Sequence, residues 1–225
     1  MLHGVYIMLN QLLFNEYANR NHASIGQLIN DLYAYGSSKL LVVRVDFLYR
    51  PEFREQASLE VVQEHRRRIL DNRRRNMTLF SDLLGYAWRL EYGVLSGFHH
   101  HFIFFYDGHK RREDISLGLG IANYFDTVIT QGMTHSYVSN TDKLKFEQAG
   151  TLGIGAIAHN EINLRNYLLD KVAGYLTKGS LDDGYRECLE DGTSFRSFGR
   201  SESPQPRPEG IARLGRPRNS LVMGI

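Results

Sequence analysis

The sequence predicts an α+β fold: a central antiparallel β-sheet of ferredoxin- or RRM-like type, with flanking helices on one side. Three observations carry this. Residues 40–48 and 98–106 are dense in Leu and Val or in Phe, Ile and Tyr, at the length of strands. Residues 85–92 form a second strand segment joined to 98–106 by a short glycine-bounded stretch, as in a hairpin. Helical segments interrupt these strands in the order β-α-β-β-α-β, whereas strict alternation would imply a parallel sheet. The composition permits the core such a fold needs: 225 residues, 42% hydrophobic and 12% aromatic. That excludes a disordered chain, a collagen-like fibre and a disulfide scaffold.

The elements follow in order. Residues 8–35 read as helix, with Ser24 a candidate N-cap before Ile25, Leu28, Ile29 and Leu32, and Gly36-Ser37-Ser38 as its end. The strand at 40–48 sends Arg44 and Asp46 to one face and closes at Pro51. Ser58 and Glu60 open a long helix to about 84, with Val61, Val62, Ile69 and Leu70 as candidate inward positions. After the hairpin, Asp107-Gly108 makes a turn and a helix runs over 112–128. A further strand is expected within 151–158. Asn160 then caps a helix to Lys178. From Phe195 the chain gathers four of its five prolines among Ser, Arg and Gly, the composition of a loose tail. The expected organisation is an N-terminal helical segment at 1–36, one domain at 37–200 and a basic tail at 201–225.

A single cysteine, Cys188, cannot form an internal bridge, so a reducing cytoplasmic setting is the default. No run of about 18 apolar residues exists, so no membrane partner is expected. The first 14 residues lack the charged start and small-residue cleavage site of a signal peptide. Net charge is only +2, but arginines cluster at 66, 67, 68, 73, 74 and 75, and six more lie between 196 and 218. Such clusters suit a polyanion; they equally suit a solvated helix face and a basic tail. Arg66, Arg67, Arg73 and Arg74 are candidate DNA contacts.

Candidate chemistry centres on His99-His100-His101. Strand alternation points His99 and His101 to the same face, about 7 Å apart along the backbone, where they can share one ion; His100 points to the other. The hairpin brings Glu91 near their pairing register. Two imidazoles and a carboxylate make a divalent site, and a carboxylate with phosphate oxygens favours Mg²⁺ or Mn²⁺. Surface histidines at a strand start and an exposed strand carboxylate are the plainer reading of the same residues. On the last helix, Tyr175 has Lys178 three residues after it and Lys171 four before, so both can reach the phenol. Cations stabilise phenolate and transferring phosphate, and a tyrosine nucleophile divides strand cleavage into two reversible steps. The plainer reading makes Tyr175 an amphipathic core residue.

Together these parts resemble the HUH endonucleases, the rolling-circle replication initiators and relaxases, and are most similar to the inovirus-type (YagK/YfjJ-like) replication proteins. The segments at 41–46, 85–93, 97–108 and 174–178 carry the resemblance in consistent order. Phe195-Arg196-Ser197-Phe198-Gly199-Arg200 echoes a closing Arg-Thr-Phe-Gly-Arg type segment. His100, where the family has a plain hydrophobe, and Gly179-Ser180 after Lys178 depart from the pattern.

The resemblance implies a site-specific nickase acting on single-stranded DNA at a replication origin of a phage, prophage or mobile element in a bacterial host. His99, His101 and Glu91 would hold the metal, Tyr175 would form a 5′-phosphotyrosyl intermediate, and Lys178 would orient the phosphate. Arg44 and Asp46 would line the site; a buried ion pair is their other reading. With no Walker-type loop, ATP-driven unwinding would fall to a host helicase beside the host polymerase. A catalytically weak DNA-binding regulator of the same fold and an unrelated His/Glu metalloenzyme are the alternatives.

Overall fold

The computed structural model describes residues 2–93, 95–177 and 196–206, the first fourteen of these by backbone alone. Its centre is a six-stranded antiparallel sheet, flanked by helices, as the α+β reading expects. The strands are β1 (Lys39–Tyr49), β2 (Leu83–Gly93), β3 (Gly97–Asp107), β4 (Thr134–Val138), β5 (Gly155–Ala158) and β6 (Phe198–Arg200). They lie in the order β4-β1-β3-β2-β6, and β5 shares the outer edge of β1 with β4. β4 pairs with residues 45–49 and β5 with residues 39–42. Between them Asn140 substitutes for a strand: its Nδ2 donates to Val42 O at 2.9 Å and its Oδ1 accepts from Arg44 N at 3.0 Å. An edge that would otherwise leave two buried backbone groups unmet is thereby satisfied.

Helices cover both faces of the sheet, not one. Alternation along β1 explains why: Leu41, Val43, Val45, Phe47 and Tyr49 point to one side, Leu40 and Val42 to the other. The first side packs on α2 (Leu59–Asn72), α3 (Met77–Phe80) and α4 (Asp114–Tyr124) through Val62, Ile69, Phe80, Leu117 and Ile121. A Cβ at Gly118 of α4 would come within 2.5 Å of Val138, so glycine sets how closely this helix approaches the sheet. The second side packs on α1 (Leu2–Asp31) and on the helix of residues 162–177, through Ile25, Leu28, Ile29, Leu168, Ala173 and Leu176. Each buried Leu, Ile, Val or Phe among these stabilises the fold by roughly 1.5–3 kcal/mol.

Several expected boundaries move. α1 runs unbroken through Ser24, which is therefore no cap; its hydroxyl accepts from Arg200 Nε at 2.8 Å. Ser58 does cap α2, accepting from Val61 N. That helix stops at Asn72 instead of about 84, because Asn76 caps a separate short helix, accepting from Leu79 N at 3.2 Å. β4 and β6 are strands that composition did not predict. β6 closes the expected 37–200 domain, in the stretch from Phe195 whose composition read as loose, yet it adds to the free edge of β2 in the register Ala87↔Arg200.

The last helix is not uniform. α6 (Ile162–Tyr167) passes into a π-helical stretch, Leu168–Ala173, and then into α7 (Gly174–Thr177). Each wider turn shifts the helical phase just ahead of Tyr175.

Candidate active site

The second face of the sheet changes character along its length. At one end it is apolar, with Leu40, Val42, Ala87, Ile103 and Phe105 under α1. At the other end the same alternating positions carry Arg44 and Asp46 on β1, Arg89 and Glu91 on β2, and His99 and His101 on β3. Register makes these one cluster: Asp46 pairs with His101, Arg89 with His101, and Glu91 with His99. All except Arg44 are buried.

Glu91, His99 and His101 offer ligand atoms that all lie within 4.8 Å of one another. Glu91 Oε2 stands 3.4 Å from His99 Nε2 and 3.3 Å from His101 Nε2. The other ring nitrogens are already oriented: His99 Nδ1 lies 3.0 Å from Gly97 O and His101 Nδ1 lies 2.9 Å from Asp46 Oδ1. A backbone carbonyl beside one Nδ1 and a carboxylate beside the other, the second close but not aligned as a hydrogen bond, are the kind of outer support that metal-ligating histidines carry, and both Nε2 atoms face Glu91. Donor set and orientation therefore fit a metal ion, and one could be held here.

Without metal, the charges of the cluster act on one another. Burial opposes a charge on Glu91, but His101 and His99 outweigh it and draw its carboxyl down to about 2. Burial also opposes a charge on Asp46, and hydrogen bonding to His101 together with Arg44 keeps its carboxyl low. His101 answers in kind: desolvation works against its proton, yet Asp46 and Glu91 raise its pKa above the ordinary 6.5.

Tyr175 stands against this cluster. Its ring meets that of His101 edge-on, centroids 4.9 Å apart, and the Arg44 guanidinium lies over it at 4.3 Å. Arg44 is at the same time paired with Asp46 through two bonds, Nε to Oδ1 at 3.2 Å and Nη2 to Oδ2 at 3.0 Å. The pair is a largely buried ion pair that stands beside the Glu/His/His cluster. The phenol's pKa is raised, first by burial and then by Glu91, with Arg44 opposing.

The remaining sequence candidates are dispersed. Lys171, in the π-helical stretch, lines a cavity beside Arg44. Lys178 lies outside the described residues. Tyr167 sends its hydroxyl toward Gly150, so it is Tyr175 that meets His101. α2 packs on the opposite face from the cluster, so the arginines on it and just after it lie away from Tyr175. Arg66 stacks on Trp88 at 3.9 Å, Arg67 pairs with Glu64 and Asp71, Arg73 donates to Leu70 O, and Arg74 is exposed. His100 is wholly buried on that face beside Trp88 and Phe102.

Two residues were missed from sequence. Arg89, buried, has its Nε 3.9 Å from Glu91 Oε1; its place two residues before Glu91 on the same strand was the available signal. Asn140, which holds the backbone of Arg44, gave none. No protein-family model, curated protein or solved structure matches this chain.

Proposed function

We propose that this protein nicks and rejoins single-stranded DNA as a metal-dependent tyrosine transesterase of the HUH type, initiating rolling-circle-type replication of a phage, prophage or mobile element. The observation that carries this reading is Tyr175 set against His101 at the edge of a Glu/His/His cluster. Charge supports it. Arg44, Arg89, Asp46 and Glu91 sum to zero, so a divalent ion adds two positive charges, one offset by the phosphodiester and the other by the second negative charge that develops in the pentavalent transition state. The donor set alone would equally suit ferrous iron, but that chemistry gives no role to Tyr175 or to the arginine over its ring.

Glu91, His99 and His101 would hold the ion, Mg²⁺ or Mn²⁺ by the preference of a carboxylate joined by phosphate oxygens. When bound, a divalent cation supplies Lewis-acid polarisation of the scissile phosphate and a template for it. Tyr175 Oη attacks phosphorus in line and the P–O3′ bond breaks. The phenolic proton passes to solvent, the departing oxygen takes up a proton as a free 3′-OH, and the 5′-phosphate stays on the tyrosine. Attack by a 3′-OH on that ester reverses the step and rejoins the strand. Arg44 stabilises the developing phenolate and the phosphate charge from above the ring. Asp46 holds His101 in the required tautomer. The free 3′-OH would serve a host polymerase, with a host helicase opening the duplex.

The test is a covalent-adduct assay. Protein is mixed with single-stranded DNA tiling the region around its own gene, with Mn²⁺, and run on a denaturing gel. The expected result is a shifted band that EDTA and Tyr175→Phe each abolish. Tight DNA binding with no band on any segment would overturn the nicking reading in favour of a DNA-binding regulator.

A further inference from the structure

We infer that the cavity beside Tyr175 is a nucleoside subsite, receiving the base and sugar of one nucleotide that adjoins the scissile phosphate; the inference rests on the nicking reading above. The cavity measures about 290 Å³ and is bounded by the π-helical turn that precedes Tyr175 and by residues near β5. Phe146, Ile154 and Val172 give it apolar walls, and Thr151 brings a hydroxyl-bearing side chain. Arg44 and Lys171 supply positive charge. Arg44 is the side chain that lies over the Tyr175 ring, so the cavity and the nucleophile share a wall.

Size and chemistry select the occupant. Ligand pockets run from roughly 300 to 1,000 Å³, and this one sits at the small end, with room for one nucleoside. A free phosphate would make no use of the aromatic and aliphatic walls. A purely apolar ligand would make no use of Lys171, which is exposed and, among the described residues, has no ion pair. A nucleotide uses both: Phe146 offers a face on which a base can stack, and Lys171 a charge for the phosphate attached to it. Because stacking tolerates any base, the subsite grips the strand without demanding a particular letter.

The test needs neither metal nor cleavage. Full-length protein in EDTA is titrated with each deoxynucleoside 5′-monophosphate, with deoxyribose 5-phosphate and with inorganic phosphate, following amide NMR shifts. The expected result is that nucleotides shift the residues around 146, 151, 154 and 171 and bind about tenfold or more tightly than deoxyribose 5-phosphate. Phe146→Leu, which keeps an apolar wall, should remove that preference. Lys171→Ala should weaken nucleotide and sugar phosphate alike. Equal binding of nucleotide and sugar phosphate, shifts confined to other surfaces, or a preference that survives Phe146→Leu would each overturn the subsite. A protein that shows the preference but forms no DNA adduct would keep the subsite and overturn the nicking reading, so the two failures are separable.

Discussion

His100 and His101 are neighbours in sequence and opposites in circumstance. His101 faces Asp46, Glu91 and Tyr175, and its pKa is raised. His100 faces Trp88 and Phe102, and burial, followed by Arg66 and the flanking histidines, drives its pKa well below the ordinary value. One pleat separates them. The two faces they belong to divide the work in the same way. The first is an aliphatic and aromatic core interrupted only by His100 among the described positions of β1, β2 and β3, whereas the second gives up apolar packing over half its length to assemble six charged or ionisable groups in register. The lesson is that a strand buried on both sides can support an apolar core and a cluster of ionisable groups with the same backbone, provided the register is fixed.

Substitutions can break that division. The largest expected loss of stability is on the core face: Phe47→Ala, which removes a ring stacked on Phe125 at 3.9 Å, should cost about 3–5 kcal/mol in chemical denaturation. It should leave metal affinity per folded molecule unchanged. Asp46→Asn should act on metal affinity instead. With His101 Nδ1 and Arg44 both losing their carboxylate, Mn²⁺ affinity per folded molecule, measured by calorimetry, should fall roughly 10- to 100-fold, a loss the core-face substitution does not produce.

His100→Leu sharpens the comparison further. Among the described residues neither ring nitrogen of His100 has a hydrogen-bond partner, so an apolar residue there should leave the melting temperature unchanged or raise it. Two imidazoles one residue apart would then respond in opposite senses, one structural and one functional. A His100→Leu protein that unfolds would show that the core face needs a polar group it does not display.

The smallest effect is the pH dependence of the metal-free protein. His101 has a raised folded pKa, so its contribution to stability is complete below about 6.5 and is lost as pH rises through the raised value. Glu91 has a depressed one, so its contribution is complete above about 4.5 and is lost as pH falls toward about 2. Together they place the stability maximum contributed by this cluster between those limits. Because metal competes with the proton on His101, Mn²⁺ affinity should rise with pH across the same titration. Thermal melts from pH 4 to 9, with and without Mn²⁺, check both slopes; a metal-free optimum above pH 8 would contradict the assignment.

Much of the site was legible because strand alternation is rigid. His99 and His101 had to share a face, and a tight hairpin had to bring Glu91 to them; the register Glu91↔His99 bears that out. What was not legible came from elements with weak local signals. β4 is five residues with three of them facing out or half out, and β6 is three residues in a stretch rich in Ser, Arg and Pro. That α1 and the helix of residues 162–177 cover the second face was not legible, because periodicity shows that a helix has an apolar stripe, not which sheet face receives it. The π-helical stretch before Tyr175 is the most consequential case. Spacing on an ideal helix nominated Lys171 and Lys178 for the phenol; Lys178 lies outside the described residues, Lys171 lines a cavity beside Arg44, and Arg44 itself lies over the ring from a strand 131 positions earlier. No one-dimensional pattern encodes that contact.

The most direct measurement is to identify the residue that carries the DNA. The adduct formed with Mn²⁺ would be digested with nuclease and protease, and the nucleotide-bearing peptide sequenced by mass spectrometry. The account predicts a phosphodiester on Tyr175, attached through the 5′-phosphate of the nucleotide. A nucleotide on any other residue, Tyr167 included, would contradict the assignment of the site.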